Sequence, residues 1–99
     1  MLDLSAVIGF QWDDGNARKN ERHGVSMAEA EQVFFNLPLL LMSDSRHSEF
    51  EPRMHALGKT TAGRRLHITL TLRLGGTIIR VISARDMHRK ERVIYEQAT

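Results

Sequence analysis

The 99-residue sequence contains no cysteine, only two prolines and only six residues of the types Phe, Trp and Tyr. The lack of cysteine excludes disulfide bonds, thiolate metal ligands and a cysteine nucleophile. The longest apolar run, at residues 37–42, is much shorter than the roughly 20 residues that cross a membrane as a helix. Residues 1–5 include no basic residue, so we expect no secretory signal there. These features are typical of a cytoplasmic protein.

The composition is that of a folded globular domain, with 41% apolar and 26% charged residues. The sequence shows no internal repeat, low-complexity tract or linker that would divide it. We therefore expect residues 1–99 to form a single domain.

The charges are distributed unevenly along the chain. Residues 1–45 carry three basic and seven acidic side chains, for a net −4, whereas residues 46–99 carry eleven basic and five acidic, for a net +6. Eleven of the fourteen basic residues are arginine, whose planar guanidinium suits phosphate groups. The C-terminal half is predicted to bind a polyanion or an acidic partner, and an ordinary solvated surface is the equally weighted alternative.

Hydrophobic periodicity and turn signals predict the order of the elements. Strands are predicted at residues 6–12, 39–43, 53–59, 66–73 and 77–84. A short helix is predicted to begin near Asp13 or Asp14 and to stop at Gly24. Ser26 and Glu29 have the spacing of a capping box, which predicts a second helix to about residue 36, and a third helix is predicted at 86–97.

Gly75 and Gly76 form a hairpin signal that predicts which residues of the last two strands oppose each other. The predicted pairs are 72 with 79, 70 with 81 and 68 with 83. One face is then apolar, and the other combines two sets of side chains, His67, Thr69, Thr71 and Arg73 on one strand and Ile78, Arg80, Ile82 and Ala84 on the next. A three-residue loop at 61–63 adds Arg53, His55 and Lys59 to this second face, although a one-residue slip would reverse the assignment.

All formal charges on this predicted face are positive. Such a face must contact water, an acidic partner or a nucleic-acid backbone, because burying charge under an apolar layer is costly. The alternative is the ordinary solvent-facing side of an antiparallel sheet. Two predicted helices add polar stripes. The stripe on the first helix is Asn16, Lys19, Asn20 and His23. The stripe at the last helix is Arg85, His88, Arg89 and Arg92, and the side of that helix predicted to face inward is Met87, Glu91, Ile94 and Tyr95.

The sequence has no phosphate-binding loop, dinucleotide fingerprint, HExxH or GxSxG motif. The nearest approach to a metal cluster is His47 with Glu49 and Glu51, which lacks a recognisable scaffold, so we expect no metal and no cofactor. Histidines among arginines suit RNA cleavage by the 2′-hydroxyl, which needs an acid, a base and cations to stabilise the phosphorane. The candidate acids and bases are His23, His47, His55 and His67.

The chain also resembles a known family through short motifs in a shared order. In the first half they are Phe10-x-Trp12-Asp13, Asn20-x-x-His23-Gly24-Val25-Ser26 and Glu29-Ala30-x-x-Val33-Phe34. In the second half they are Asp44-x-x-His47, Glu51-x-Arg53, Leu57-Gly58-Lys59, Arg80-Val81-Ile82-Ser83-Ala84-Arg85, Arg89-x-Glu91-Arg92 and Tyr95-Glu96. From about residue 10 to residue 96 the sequence resembles the BrnT-type toxins of bacterial toxin–antitoxin pairs. Asp14 and Asn36-Leu37-Pro38 depart from residues common in that family.

The resemblance implies an α+β fold, an antiparallel sheet with flanking helices similar to the RelE-like ribonucleases. It further implies a toxin domain that cleaves RNA without a metal, inhibits translation and is neutralised by a BrnA-type ribbon-helix-helix antitoxin. Operator DNA would then be bound only through the antitoxin, and no membrane would be involved.

The sequence motifs and the predicted sheet together define the candidate site. The catalytic candidates are His23, His47, His67, Arg80 and Arg85, with His23 and His47 taken from the family motifs. The RNA-binding candidates are Lys19, Arg53, Lys59, Arg73 and Arg89. A non-catalytic module whose basic sheet face docks nucleic acid or protein is the alternative, and the presence of histidines among the arginines favours the enzyme.

Overall fold

The computed structural model describes residues 4–13, 15, 18, 22–44 and 52–98. Its sheet has five strands in the order β1-β5-β4-β3-β2. They are β1 (Gly9–Gln11), β2 (Leu40–Asp44), β3 (Arg53–Lys59), β4 (Arg65–Arg73) and β5 (Ile78–Asp86). All neighbouring strands are antiparallel except β1, which pairs parallel with β5. The α+β class with a mainly antiparallel sheet is therefore confirmed.

Two α-helices lie entirely within the described residues, α1 (Met27–Gln32) and α2 (Arg89–Gln97). The Ser26 hydroxyl accepts a hydrogen bond from the Glu29 backbone N–H, and the Glu29 carboxylate accepts one from the Ser26 N–H, both at 3.1 Å. This confirms the predicted capping box. A 3₁₀ turn at Val33–Phe35 continues α1 to the predicted end. The helix α2 begins later than predicted, because β5 extends to Asp86.

The predicted first helix lies largely outside the described residues. Gly15, Arg18 and Arg22 are helical, and Gly24 has a φ of +69°, the left-handed conformation in which glycine often ends a helix. No helix in the described part of the chain is long and apolar enough to span a membrane.

The register between β3 and β4 is the one predicted from a three-residue loop. Arg53 pairs with Thr71, His55 with Thr69 and Leu57 with His67. The Thr60 N–H closes the loop with a 2.8 Å hydrogen bond to the Arg64 carbonyl. The side chains of β3 therefore face the sides that the sequence predicts.

The register between β4 and β5 is only partly as predicted. Near the hairpin, Leu72 pairs with Ile79, as expected. Beyond Leu70 the register shifts, so that Ile68 pairs with Ala84 and not with Ser83. The extra residue in β5 is Ile82, which forms a β-bulge. The prediction that Ala84 lies on the polar face is therefore wrong, since the bulge turns it into the core.

The larger core lies between α1 and one face of the sheet. Its buried members include Ala30 and Val33 from α1 and Met54, Ile68 and Val81 from the strands. A smaller cluster lies on the opposite face, where Met87 and Tyr95 cover Leu57. The Tyr95 hydroxyl donates a 2.6 Å hydrogen bond to the Pro38 carbonyl. The helix α2 therefore covers one end of the sheet face that the sequence predicts to be polar. Ile94, predicted to face inward, is exposed.

Replacing Gly58 by alanine should destabilise the fold. A Cβ at this position would lie 2.6 Å from Val33 Cγ1 and 3.4 Å from the Val33 carbonyl oxygen, and a valine side chain has little freedom to move away. We expect Gly58→Ala to lower the free energy of unfolding by about 1–3 kcal/mol in urea denaturation. Gly9→Ala is the control, because its Cβ meets only Ile78 Cδ1 at 3.6 Å. Equal unfolding midpoints for the two variants would contradict this account of the packing.

Candidate active site

Polar side chains from three strands form one surface on the sheet face that α2 partly covers. Directly opposed residues of antiparallel strands share a face, and successive rows are two residues apart except at the β5 bulge, which adds one residue. The rows are Leu57–His67–Arg85, His55–Thr69–Ser83 and Arg53–Thr71–Arg80. We call the surface formed by Arg53, His55, His67, Thr69, Thr71, Arg80 and Arg85 the histidine face.

His55 is held between a carboxylate and a hydroxyl. Its Nε2 lies 2.8 Å from Asp44 Oδ2, at the end of β2, and its Nδ1 lies 3.3 Å from Thr69 Oγ1. An ionised carboxylate only accepts hydrogen bonds, so Nε2 carries the proton of the neutral ring and Nδ1 presents a lone pair. The His55 side chain remains 27% exposed, whereas that of Asp44 is 13% exposed. The pair therefore joins a nearly buried carboxylate to an accessible imidazole.

His67 lies against His55, and the two ring centroids are 4.9 Å apart. Burial, followed by the charge of Arg85, lowers the pKa of His67 to about 4. The Glu91 carboxylate acts in the opposite direction from 3.9 Å but does not outweigh these effects. His67 is consequently neutral at pH 7. Within the described part of the chain, its buried Nδ1 has no hydrogen-bond partner.

Arg85 is directly opposite His67 and is held by α2. Its Nη1 and Nη2 donate to the two Glu91 carboxylate oxygens at 2.8 and 3.0 Å. Glu91 also accepts a 2.8 Å hydrogen bond from the His88 backbone N–H at the start of α2. Mainly because of Arg85, the pKa of Glu91 falls to about 2, so this carboxylate is ionised at neutral pH. The first turn of α2 thus positions the guanidinium beside His67.

The expectation of an entirely positive face is wrong, because carboxylates from other elements reach it. Arg80 Nη2 lies 2.8 Å from Asp13 Oδ2, beyond the end of β1. Among the described residues, Asp44 from β2 and Glu91 from α2 also bring carboxylates to this face. All three acids occur in the family motifs, but the strand pattern does not place them on this face, since it leaves the positions of their segments relative to the sheet undetermined.

The structure brings together some of the predicted site residues. His67 and Arg85 are adjacent, and Arg80 lies two rows away in the same row as Arg53. Arg73 lies at the end of β4, opposite Ile78. His55, which the sequence suggests only as a possible acid or base, lies at the centre of the face, and the predicted 61–63 loop already places it diagonal to His67.

Other predicted residues lie elsewhere or cannot be placed. His23 is exposed and precedes α1, whose apolar side packs on the opposite face of the sheet. The backbone carbonyl of His23 accepts a 3.5 Å hydrogen bond from Arg64. Lys59 pairs with Arg65 at the far end of β3, and Arg89 is the exposed first residue of α2. His47 and Lys19 lie outside the described residues.

The histidine face is arranged for proton transfer next to a charged phosphate ester. It offers two adjacent imidazoles, one of them oriented by a carboxylate, and guanidinium groups in the same and neighbouring rows. Among the described residues, no group of three His, Asp or Glu side chains is arranged to hold a metal ion.

Comparisons with known proteins agree with this architecture. A family model described as a ribonuclease toxin, BrnT, of type II toxin–antitoxin systems matches residues 12–91. The crystal structure of the ribonuclease toxin BrnT from Brucella abortus is similar, with a TM-score of 0.57 and 17% sequence identity. The match covers 84% of this chain and all of that chain, and at this identity it shows the fold alone. A search of curated proteins finds no match.

The lowered pKa of His67 predicts a loss of stability in acid. An unfolded histidine titrates near 6.5, so between pH 6.5 and 4 the unfolded chain binds a proton that folded His67 does not. The free energy of unfolding should therefore fall as the pH drops through this window, by up to roughly 3 kcal/mol from this residue.

Urea denaturation at several pH values measures this contribution. We expect the stability of His67→Gln to depend less on pH between 4 and 6.5 than that of the wild type. His23→Gln, which removes an exposed histidine, should retain the wild-type slope. Identical slopes for His67→Gln and wild type would show that His67 titrates normally in the folded protein.

Proposed function

Because the chain belongs to the BrnT family of ribonuclease toxins of type II toxin–antitoxin systems, we propose that it is a metal-independent endoribonuclease that cleaves RNA on the histidine face. The 2′-hydroxyl of the substrate is the nucleophile, so the protein does not need one of its own. The observation that carries the proposal is the stacking of His55 and His67 directly beside Arg85, on a face that is still partly open.

The two kinds of side chain on this face have different roles in the proposed reaction. The imidazole pair provides acid–base catalysis at the sugar, while the arginines stabilise the charge that develops on the phosphorane. His67, Arg80 and Arg85 remain the catalytic candidates, and His55 joins them. We leave His23 out of this arrangement, since it precedes α1, which packs on the opposite face of the sheet.

Arginines near the catalytic candidates supply the proposed binding surface for the RNA backbone. Arg53 shares the row of Arg80, and Arg73 extends the surface toward the hairpin. Lys59 and Arg89 lie at the opposite end of the sheet, near α2, and would contact RNA on the other side of the scissile phosphate. Counterion release from such contacts makes RNA binding weaken as salt increases.

The family also implies a protein antitoxin and an RNA substrate. We propose that the antitoxin is of the BrnA type with a ribbon-helix-helix domain, and that operator DNA is bound only through it. We further propose that the toxin acts in the cytoplasm and inhibits translation by cleaving RNA. Induced expression of this chain with and without the antitoxin, followed by growth and RNA integrity, tests these proposals together.

RNA cleavage by the purified protein should continue in EDTA. The products should carry 2′,3′-cyclic or 3′-phosphates, and a substrate with 2′-deoxyribose at the scissile position should remain intact, because it lacks the nucleophile. Gel and mass analysis of a short labelled RNA measure both results. Activity that stops in EDTA and returns with Mg²⁺ or Mn²⁺ would contradict metal independence, and cleavage of the deoxy substrate would contradict the proposed nucleophile.

Arg80→Ala and Arg85→Ala should each reduce the rate of RNA cleavage by roughly 10²–10³, the effect of removing one preorganised donor to the transition state. Growth arrest should be lost, while the folded variants still bind the antitoxin. Arg65→Ala is a matched control, because Arg65 pairs with Glu96 at the opposite end of the sheet. Full toxicity of either site variant at equal expression would reassign that arginine to its structural ion pair with Asp13 or Glu91.

A further inference from the structure

We propose that His55 is the general base that removes the proton from the 2′-hydroxyl. Asp44 is the positioning residue that keeps the His55 hydrogen on Nε2, so that Nδ1 can accept the proton. This inference rests on the proposed function, because it assigns a role within the same ribonuclease site. Histidines and arginines alone do not distinguish the base from the other groups, whereas the contacts of the two rings do.

The Asp44–His55 contact determines which nitrogen of His55 can accept a proton. The carboxylate lies 2.8 Å from Nε2 and takes its hydrogen, so the lone pair is on Nδ1. The Thr69 hydroxyl lies 3.3 Å from Nδ1 and therefore approaches as a donor. A hydroxyl group therefore already occupies the lone pair in the free protein. In the proposed reaction the ribose 2′-hydroxyl takes the place of this donor, and the His55 side chain is 27% exposed to an incoming substrate.

The surroundings of His67 are unsuited to the same role. Its side chain is only 10% exposed, and no carboxylate of the described residues makes a close hydrogen bond to it. The nearest, Glu91, is 3.9 Å away and is already bound to Arg85 and to the His88 N–H. A neutral His67 instead benefits the base, because it adds no positive charge next to His55 when that ring takes up a proton.

The proposed step is a transesterification. The proton of the 2′-hydroxyl moves to His55 Nδ1, the O2′–P bond forms, and the P–O5′ bond breaks. The departing O5′ keeps the electron pair of that bond and takes a proton from water, while His55 later returns its proton to water. The products are a 2′,3′-cyclic phosphate and a free 5′-hydroxyl, so no proton is gained or lost overall.

Asp44→Asn tests the positioning role because asparagine has nearly the same shape as aspartate but replaces one accepting oxygen beside His55 Nε2 with a donating NH2 group. An amide can donate to Nε2, which places the ring hydrogen on Nδ1 and removes the lone pair from the substrate side. We expect kcat to fall by roughly 10²–10⁴ with little change in KM, as for loss of a general base. Glu29→Gln is the control, since it also removes a carboxylate from an ion pair, here with Arg64, but lies at the start of α1 and away from the histidine face.

Nitrogen-15 NMR of the histidine rings gives a readout that does not depend on activity. In the wild type the neutral His55 should carry its hydrogen on Nε2, and in Asp44→Asn the population should shift toward Nδ1. A merely structural Asp44 would leave this tautomer unchanged in a folded variant. If Asp44→Asn does not fold, the wild-type spectrum still tests the pairing, and His55→Gln, with the same expected loss of kcat, tests the base.

The outcomes separate this inference from the proposed function. A wild-type protein that cleaves RNA but not the 2′-deoxy substrate, together with a folded Asp44→Asn variant of unchanged kcat, overturns the role of Asp44 alone. A wild-type His55 with its hydrogen on Nδ1 also overturns it. A wild-type protein that leaves RNA intact under all conditions overturns the proposed function, and the role of His55 as base with it.

Discussion

The strand β5 contains one residue more than the stretch of β4 that it faces, and this extra residue at Ile82 reverses the faces of all residues that follow it. Without the bulge, Ala84 would lie on the histidine face and Arg85 would point into the core. With it, Ala84 fills the core, and Arg85 is directly opposite His67. The juxtaposition of histidine and guanidinium thus depends on a single unpaired residue.

The placement of Arg85 in turn depends on α2. Met87 and Tyr95 attach the helix to Leu57, and the Glu91 carboxylate then serves both the backbone of the first turn and the Arg85 guanidinium. The position of the guanidinium is therefore linked to the packing of the helix. Burial and this neighbouring charge together keep His67 neutral. The same contacts that stabilise the end of the sheet determine the protonation of a site residue.

The charge of the histidine face is more balanced than the composition of the C-terminal half indicates. A guanidinium without a partner, partly removed from water on a sheet, would be costly, and Asp13 and Glu91 offset that cost for Arg80 and Arg85. In the proposed reaction, RNA has to share or displace these carboxylates. Its phosphate groups then compete with existing ion pairs, in addition to being attracted by the net positive charge.

Interactions between residues close together in the sequence determined much of the secondary structure of this protein. Period-two patterns and turn lengths predicted β3, β4 and their register, and Ser26 with Glu29 predicted the start of α1, because these features depend on residues close together in the chain. The family motifs indicated the class of protein. The tertiary structure alone decided the bulge at Ile82, the cover provided by α2, and the pairing of His55 with Asp44. These depend on how separate segments pack, as the Arg80–Asp13 contact across 67 positions shows, and no local pattern encodes that arrangement.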